Sequence, residues 1–173
     1  FNHPAELFGG KDILVTGGCG SIGSEIVRQL TKYDPKRIRV FDNNEEGHWD
    51  LGQRITSPVI RHLVGDIRDR DRLLRATEGV DIVFHAAALK QVPACEYNPI
   101  EAIMTNIMGG RNVIEAALDT DVERVMALST DKAVYPINAM GQTKALMEKL
   151  MLARAKTPRT NLVCCGVRYG NVM

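Results

Sequence analysis

Apolar positions along this chain fall into two rhythms. Short dense runs such as Ile13-Leu14-Val15 and Ile82-Val83-Phe84 alternate with stretches in which apolar residues recur every three or four positions. The dense runs predict strands at Asp12–Thr16, Arg37–Phe41, Val59–Val64, Asp81–Ala86, Arg124–Ser129 and Leu162–Val167. The helical rhythm predicts Ser21–Tyr33, Arg70–Thr77, Ile100–Asp119 and Met140–Ala155, with a shorter helix after Asn44, around His48–Gln53. Strands that alternate with helices imply β-α-β units with right-handed crossovers, hence an α/β fold with a doubly wound parallel sheet. Ligands of such sheets bind beyond the carboxyl ends of the strands. That places Gly17, Asp42, Asp66, the 86–90 stretch, Thr130 and Arg168 on one rim.

The first strand breaks abruptly into glycine: DILVTGGCGSIG, with Gly17, Gly20 and Gly23 leading through Ser21 and Ile22 into a helix. Glycines there permit a tight turn and let backbone N–H groups reach a pyrophosphate at the helix N-terminus, which is a Rossmann-type cradle. The spacing is G-x-x-G-x-x-G rather than G-x-G-x-x-G. Asp42, at the tip of the second strand, is placed to accept from a ribose 2′-hydroxyl. Asn43 and Asn44 follow it where an arginine would be needed to pair a 2′-phosphate, so NAD is expected rather than NADP.

Elsewhere on the rim the residues differ in character. Asp66, followed by Ile67, is placed either to meet an adenine amino group or to cap the next helix. The small residues Ala86, Ala87 and Ala88 let the backbone approach a cofactor closely. His85 reads as a packed strand-end residue, and Lys90 as a phosphate contact or a solvated loop lysine. Thr130-Asp131-Lys132 put a hydroxyl, an acid and an amine in succession at the ligand rim, the location of a reaction centre.

Composition narrows this little further. The chain has 173 residues, read as one domain, with 22 Lys+Arg against 21 Asp+Glu. A net charge of +1 gives no field for nucleic acid or an anionic membrane. No apolar run approaches the ~20 residues of a membrane span. Cys19, Cys95, Cys164 and Cys165 lack zinc-ligand spacing, so no metal is expected, and they read as free thiols of a cytoplasmic protein. The predicted helices 100–119 and 140–155 carry apolar residues on more than one side (Ile103, Ile107, Val113, Ile114; Leu146, Met147, Leu150, Met151), which predicts a homo-oligomer, at least a dimer. The chain starts at Phe1 and stops at Met173 after an apolar run, and both ends look cut.

The segments TGGCGSIGSE, GDIRD, HAAALKQVPACE, MTNIMGGRNV, STDKAVYPINAMGQTKALMEK and RYGNV resemble the extended short-chain dehydrogenase/reductase superfamily, and within it the UDP-N-acetylglucosamine 4,6-dehydratases of polysaccharide and capsule synthesis. The superfamily's Tyr-x-x-x-Lys centre falls on Met140 and Lys144. A thioether cannot exchange a proton, but resembling dehydratases include members with methionine here. Tyr135, nine positions from Lys144, does not substitute for it. The resemblance implies a bound NAD and a UDP-sugar substrate. It also implies substrate contacts from Lys90, Arg168, Tyr169 and Asn171, paired helices between subunits, and a substrate-binding lobe continuing after RYGNV.

The mechanism that fits is transient oxidation of the sugar C4, loss of water across C5–C6 and return of hydride to C6. Thr130 would bind the C4 oxygen, Lys132 take the C5 proton, Asp131 protonate the departing C6 hydroxyl and Lys144 hold the nicotinamide ribose. That assignment expects burial to lower the lysine's pKa and raise the aspartate's. STDKAVYPINAMG is most similar to members that invert C5. A nucleotide-sugar 4-epimerase and a non-catalytic dinucleotide-binding protein are the alternatives. The Asp131-Lys132 pair argues for elimination, and Met140 is the best argument for a protein without activity.

Overall fold

The computed structural model describes residues 3–156 and 161–170. Six strands form one parallel sheet: β1 Asp12–Thr16, β2 Arg37–Asp42, β3 Ile60–Val64, β4 Ile82–His85, β5 Arg124–Thr130 and β6 Val163–Tyr169, in the order β3-β2-β1-β4-β5-β6. The order reverses between β1 and β4, so the crevice expected of a doubly wound sheet opens beyond the ends of those two strands.

The helices are α1 Pro4–Phe8, α2 Ser21–Leu30, α3 Glu45–Arg54, α4 Arg70–Thr77, α5 Val92–Tyr97, α6 Pro99–Ala102, α7 Gly110–Asp119 and α8 Ala139–Ala155. Central strands alternate their side chains between two cores. Ile13 and Val15 join Ile38, Val40, Ile82 and Phe84 beneath Val27 and Leu30 of α2 and Leu51 of α3. Leu14, with Phe41, Val83 and Val125, packs beneath Leu73 of α4 and Val113, Ala116 and Ala117 of α7. All five residues of β1 are buried, as a strand covered on both faces must be. Ile114 of α7 and Met147 and Met151 of α8 close a third cluster over Ala127 of β5.

The strands match the apolar runs to within two residues, and the helix 70–77 matches end to end. Four segments differ. The stretch read as one helix from Ile100 is α6, a π-helical segment Ile103–Gly109 and α7 in continuous succession. The first long helix ends at Leu30 and tightens into a 3₁₀ turn, Thr31–Tyr33, before Asp34 adopts φ 49°. α1 and α5 are additional. Each has proline in its first turn and is too short to display a helical period. Asp66 does not cap α4: Asp69 does, its side chain accepting from Arg72 N at 3.0 Å, which leaves the Asp66 carboxylate at the rim.

Of the residues read as doubly apolar, Val113, Ile114, Met147 and Met151 are buried against the sheet, whereas Leu146 is 50% and Ile103 39% exposed. Among the described residues no helix is long and apolar enough to cross a membrane.

Candidate functional site

The turn after β1 is held by main-chain contacts. Gly17 N donates to Phe41 O at 2.8 Å, and Ala86 N donates to Thr16 O at 3.0 Å. Gly17 has φ +67°, and a Cβ there would lie 2.5 Å from Ala87 N. A Cβ on Gly23 would collide with Gly17 O. At Gly20 the nearest atom would be 3.3 Å away, so Gly17 and Gly23 carry the steric requirement of the motif. Gly20 caps α2 without a side-chain hydrogen bond, leaving the first N–H groups of the helix facing open space, a setting that favours an anion.

That space is a cleft of about 330 Å³. Gly17, Gly20, Ser21, Ile22, Gly23, Asp42, Asn43, Asp66, Ile67, Ala86, Ala87, Ala88, Lys90 and Tyr169 all line it. Every position singled out from sequence for the cofactor, except Lys144, is therefore on one wall or another of the same cavity. The Asp42 carboxylate is fixed at its mouth: Cys19 N donates to Oδ2 and Asn44 N to Oδ1, both at 3.0 Å. Burial, with Asp42 nearby, pushes the Cys19 thiol up to about 12, so this cysteine stays protonated beside the loop.

Sequence reasoning missed Phe41, Gly65, Arg68, Glu101 and Thr105, which also line the cleft. Arg68 bridges its two sides, pairing with Asp66 at 2.7 Å and with Glu101 of α6 at 2.9 Å. Burial raises the pKa of Asp66, but the Arg68 hydrogen bonds outweigh it and hold the carboxyl below its ordinary value. Asn106, at the centre of the π-helical segment, accepts from Leu89 N at 2.8 Å and donates to Leu89 O at 2.9 Å, fixing the main chain just before Lys90. Nothing in the apolar rhythm marks that asparagine, because π-helical geometry turns it inward out of phase.

The second group of predicted residues gathers at the end of β5. Thr130 Oγ1 donates to Asp131 Oδ1 at 3.0 Å and accepts from Lys132 N at 3.3 Å, which starts the 3₁₀ turn Asp131–Ala133. Lys132 Nζ lies 3.3 Å from Asp131 Oδ1. Thr130 pairs in register with Tyr169, and Tyr169 lines the cleft, so β6 joins this triplet to the cavity. The expected raised aspartate is not what the geometry produces. The Thr130 hydroxyl and the Lys132 ammonium both hold the Asp131 carboxyl below its ordinary value, and its side chain is 56% exposed, too open for burial to reverse them.

Lys144 is the buried member. It is 6% exposed and donates from Nζ to Leu128 O at 2.8 Å. Burial lowers its pKa to about 8, against a smaller upward pull from Glu148 one turn on. Met140, one turn before, packs with Cys95 and Ala102 between α5, α6 and α8. Its thioether fills an apolar joint rather than facing the cleft. Arg168, expected at the substrate, is held by Glu148 through Nε at 3.0 Å and Nη2 at 2.6 Å, which ties β6 to α8. Asn171 lies outside the described residues. His85 is buried with Nδ1 2.8 Å from Thr16 Oγ1, and burial drives its pKa down to about 3, as suits a packed neutral ring.

Sheet order, glycine turn, strand-tip acid and the Met140/Lys144 helix together define a protein of the extended short-chain dehydrogenase/reductase class. More narrowly, residues 13–173 match the family model described as polysaccharide biosynthesis protein, and the chain belongs to that family. An uncharacterized membrane protein of Methanocaldococcus jannaschii is 51% identical over 174 residues, covering 100% of this chain and 52% of that protein. A UDP-glucose 4-epimerase of Rickettsia bellii is 49% identical over 172 residues, covering 96% and 50%. Among solved structures, Pen from Bacillus thuringiensis superposes with a TM-score of 0.93 at 41% identity, covering 96% of this chain and 52% of that one. A double mutant of the dTDP-glucose 4,6-dehydratase DesIV from Streptomyces venezuelae, with NAD bound, gives 0.80 at 28%, covering 89% and 54%. The chain thus spans about half the length of the relatives it matches.

Proposed function

We propose that this chain is the cofactor-binding half of an NAD-dependent nucleotide-sugar 4,6-dehydratase acting on UDP-N-acetylglucosamine for surface polysaccharide synthesis. The observation that carries the reading is the acid–amine pair Asp131–Lys132, 3.3 Å apart at the carboxyl end of β5, beside a buried lysine and with methionine in place of a phenol. Such a pair suits elimination, which needs one group to take a proton and another to give one.

The cleft fits NAD. The bare N–H groups of α2 would hold its pyrophosphate, Asp42 would accept from a ribose, and the Ala86–Ala88 backbone lines the cleft where a flat ring would lie. Bound there, NAD would supply hydride acceptance at the sugar C4 and its return at C6. The chain's own side chains do the rest. As the C4 hydride leaves, the C4 hydroxyl proton passes to a water, and Thr130 donates to the resulting carbonyl oxygen. Lys132 as the free amine removes the C5 proton, while Asp131 as the acid protonates the C6 hydroxyl, which leaves as water. The C5–H electrons become the C5–C6 double bond and the C6–O electrons depart with the water. Afterwards Lys132 is an ammonium and Asp131 a carboxylate, which is the ion pair present here. For inversion, the favoured outcome, a solvent-derived proton reaches C5 on the face opposite Lys132, while Lys132 releases its proton to solvent and Asp131 regains one from it. Lys144, with its pKa near 8, holds the nicotinamide ribose and can exchange a proton near neutrality. Lys90 and Tyr169 line the cleft and would contact the sugar nucleotide there. The exposed Leu146 and Ile103 are apolar side chains that a second subunit would cover.

The name carried by the Rickettsia relative favours a second reading, 4-epimerisation of a UDP-sugar, which shares the C4 oxidation but leaves C6 untouched. Incubation of the full gene product with UDP-N-acetylglucosamine separates the two. A 4-keto-6-deoxy product by proton NMR supports dehydration. The C4 epimer with its C6 hydroxyl intact would overturn it.

A further inference from the structure

The rear of the Asp42 carboxylate is organised by two histidines whose protons, with both rings uncharged, can be placed by elimination. His48, 7% exposed on α3, has Nε2 3.1 Å from the main-chain oxygen of Asp42. A carbonyl only accepts, so Nε2 carries the proton, and Nδ1 of the neutral ring is an acceptor. That Nδ1 lies 3.0 Å from Nδ1 of His62, on β3, with the rings edge to face. His62 must therefore be protonated on Nδ1 and bare on Nε2. The order is fixed from one end: His62 Nδ1–H donates to His48 Nδ1, and His48 Nε2–H donates to Asp42 O.

Asp42 is consequently held at four points. Its carbonyl accepts from Gly65 N at 2.9 Å and from His48; its carboxylate accepts from Cys19 N and Asn44 N. Three of the four donors are main-chain amides of the glycine loop, the α3 cap and the end of β3. The fourth is the only side chain. α3 also presses on the glycine loop, for a Cβ on Gly47 would lie 2.8 Å from the Cys19 Cβ. The histidine pair thus pins α3 to β3 at the junction where the acid is presented.

We propose that His48 and His62 are positioning residues for cofactor recognition, a tautomer-locked pair that ties α3 and β3 to the main chain of Asp42 and so aims its carboxylate at the adenosine ribose. This rests on the reading of the cleft as an NAD site. Calorimetric titration with NAD and with its analogue lacking the adenosine 2′-hydroxyl tests it. His48→Phe keeps an aromatic ring and removes both nitrogens. It should weaken NAD about three- to tenfold, the scale of one hydrogen bond, and leave the deoxy analogue unchanged. His48→Gln restores a donor near Nε2 and should return NAD affinity to within about twofold of the parent. Two-bond nitrogen–proton NMR at mildly alkaline pH should show His48 protonated on Nε2 and His62 on Nδ1. Equal weakening of both ligands by His48→Phe would mean a merely structural role and overturn the proposal, as would a His62 ring protonated on Nε2. Failure of the unsubstituted protein to bind NAD would instead overturn the cofactor reading and remove the ribose role with it, while the NMR result, taken without ligand, still decides whether the pair exists.

Discussion

At the β1–β3 end of the rim the contacts are main chain and glycine: Gly17 N on Phe41 O, Gly65 N on Asp42 O, Cys19 N on the Asp42 carboxylate. At the β5–β6 end the proposed reactive groups are side chains on a short turn, with Asp131 56% and Lys132 34% exposed, next to a lysine buried to 6%. The first region is preformed, because backbone donors cannot move without moving strands. The second stands on a short turn half in water, so its charge state is set by neighbours and by whatever binds. Damage to the first should show as lost folding or cofactor affinity, and damage to the second as lost turnover with the fold intact.

The largest effect is expected at Gly17. Alanine there meets both a left-handed φ and a backbone atom at 2.5 Å, so Gly17→Ala should cost several kcal/mol of stability and abolish NAD binding. Gly20→Ala, with 3.3 Å of clearance, should fold normally in the same urea titration. Equal loss at both positions would dissolve the distinction between the glycines.

At the other region, Lys132→Ala should lower product formation by about 10²–10⁴-fold with NAD affinity nearly unchanged. The companion measurement is exchange of the C5 proton in deuterated water. Exchange at the parental rate would remove Lys132 from the role assigned to it. Asp131→Asn should slow loss of the C6 hydroxyl and spare the C4 step.

The buried groups give a pH signature. His85 has its pKa depressed from 6.5 to about 3, so between those values the unfolded chain binds a proton that the folded one refuses. Stability conferred by the neutral ring is complete above 6.5 and falls as pH drops toward 3, with a slope of about one proton. Lys144 acts likewise between 10.5 and about 8. Urea midpoints measured across pH should lose the acid-side slope in His85→Asn, whose amide can still meet Thr16. An unchanged slope would show that carboxylates alone cause it.

The smallest effect is expected at Met140. Met140→Leu preserves an apolar filling between α5, α6 and α8 and should cost less than about 1.5 kcal/mol, with little change in turnover. A loss of activity comparable to Lys132→Ala would place the thioether in the chemistry.

Much of the nucleotide end was legible because its signals are local. Strand, glycine spacing and terminal acid lie within consecutive residues, and period-two and period-3.6 patterns follow from backbone geometry alone. The residues that pack this end from afar were not legible. His48 lies on a helix and His62 on a strand, fourteen positions apart, and only the β3–α3 packing makes them partners. Asn106 was hidden by π-helical geometry, which shifts the phase by which an inward residue is recognised.

The sequence by itself determined the doubly wound order of elements, the cradle from Gly17 to Gly23, the acid at Asp42 and the succession Thr130-Asp131-Lys132. Only the tertiary structure decided which charges those groups carry. Whether Asp131 is raised or lowered depends on its exposure and on the geometry of its neighbours, and whether Lys144 is depressed depends on the helix and strand that bury it. It also decided that the Arg168 guanidinium is bound by Glu148. Desolvation and pairing are sums over atoms that the chain brings together from distant positions, and a one-dimensional pattern holds no record of that distance.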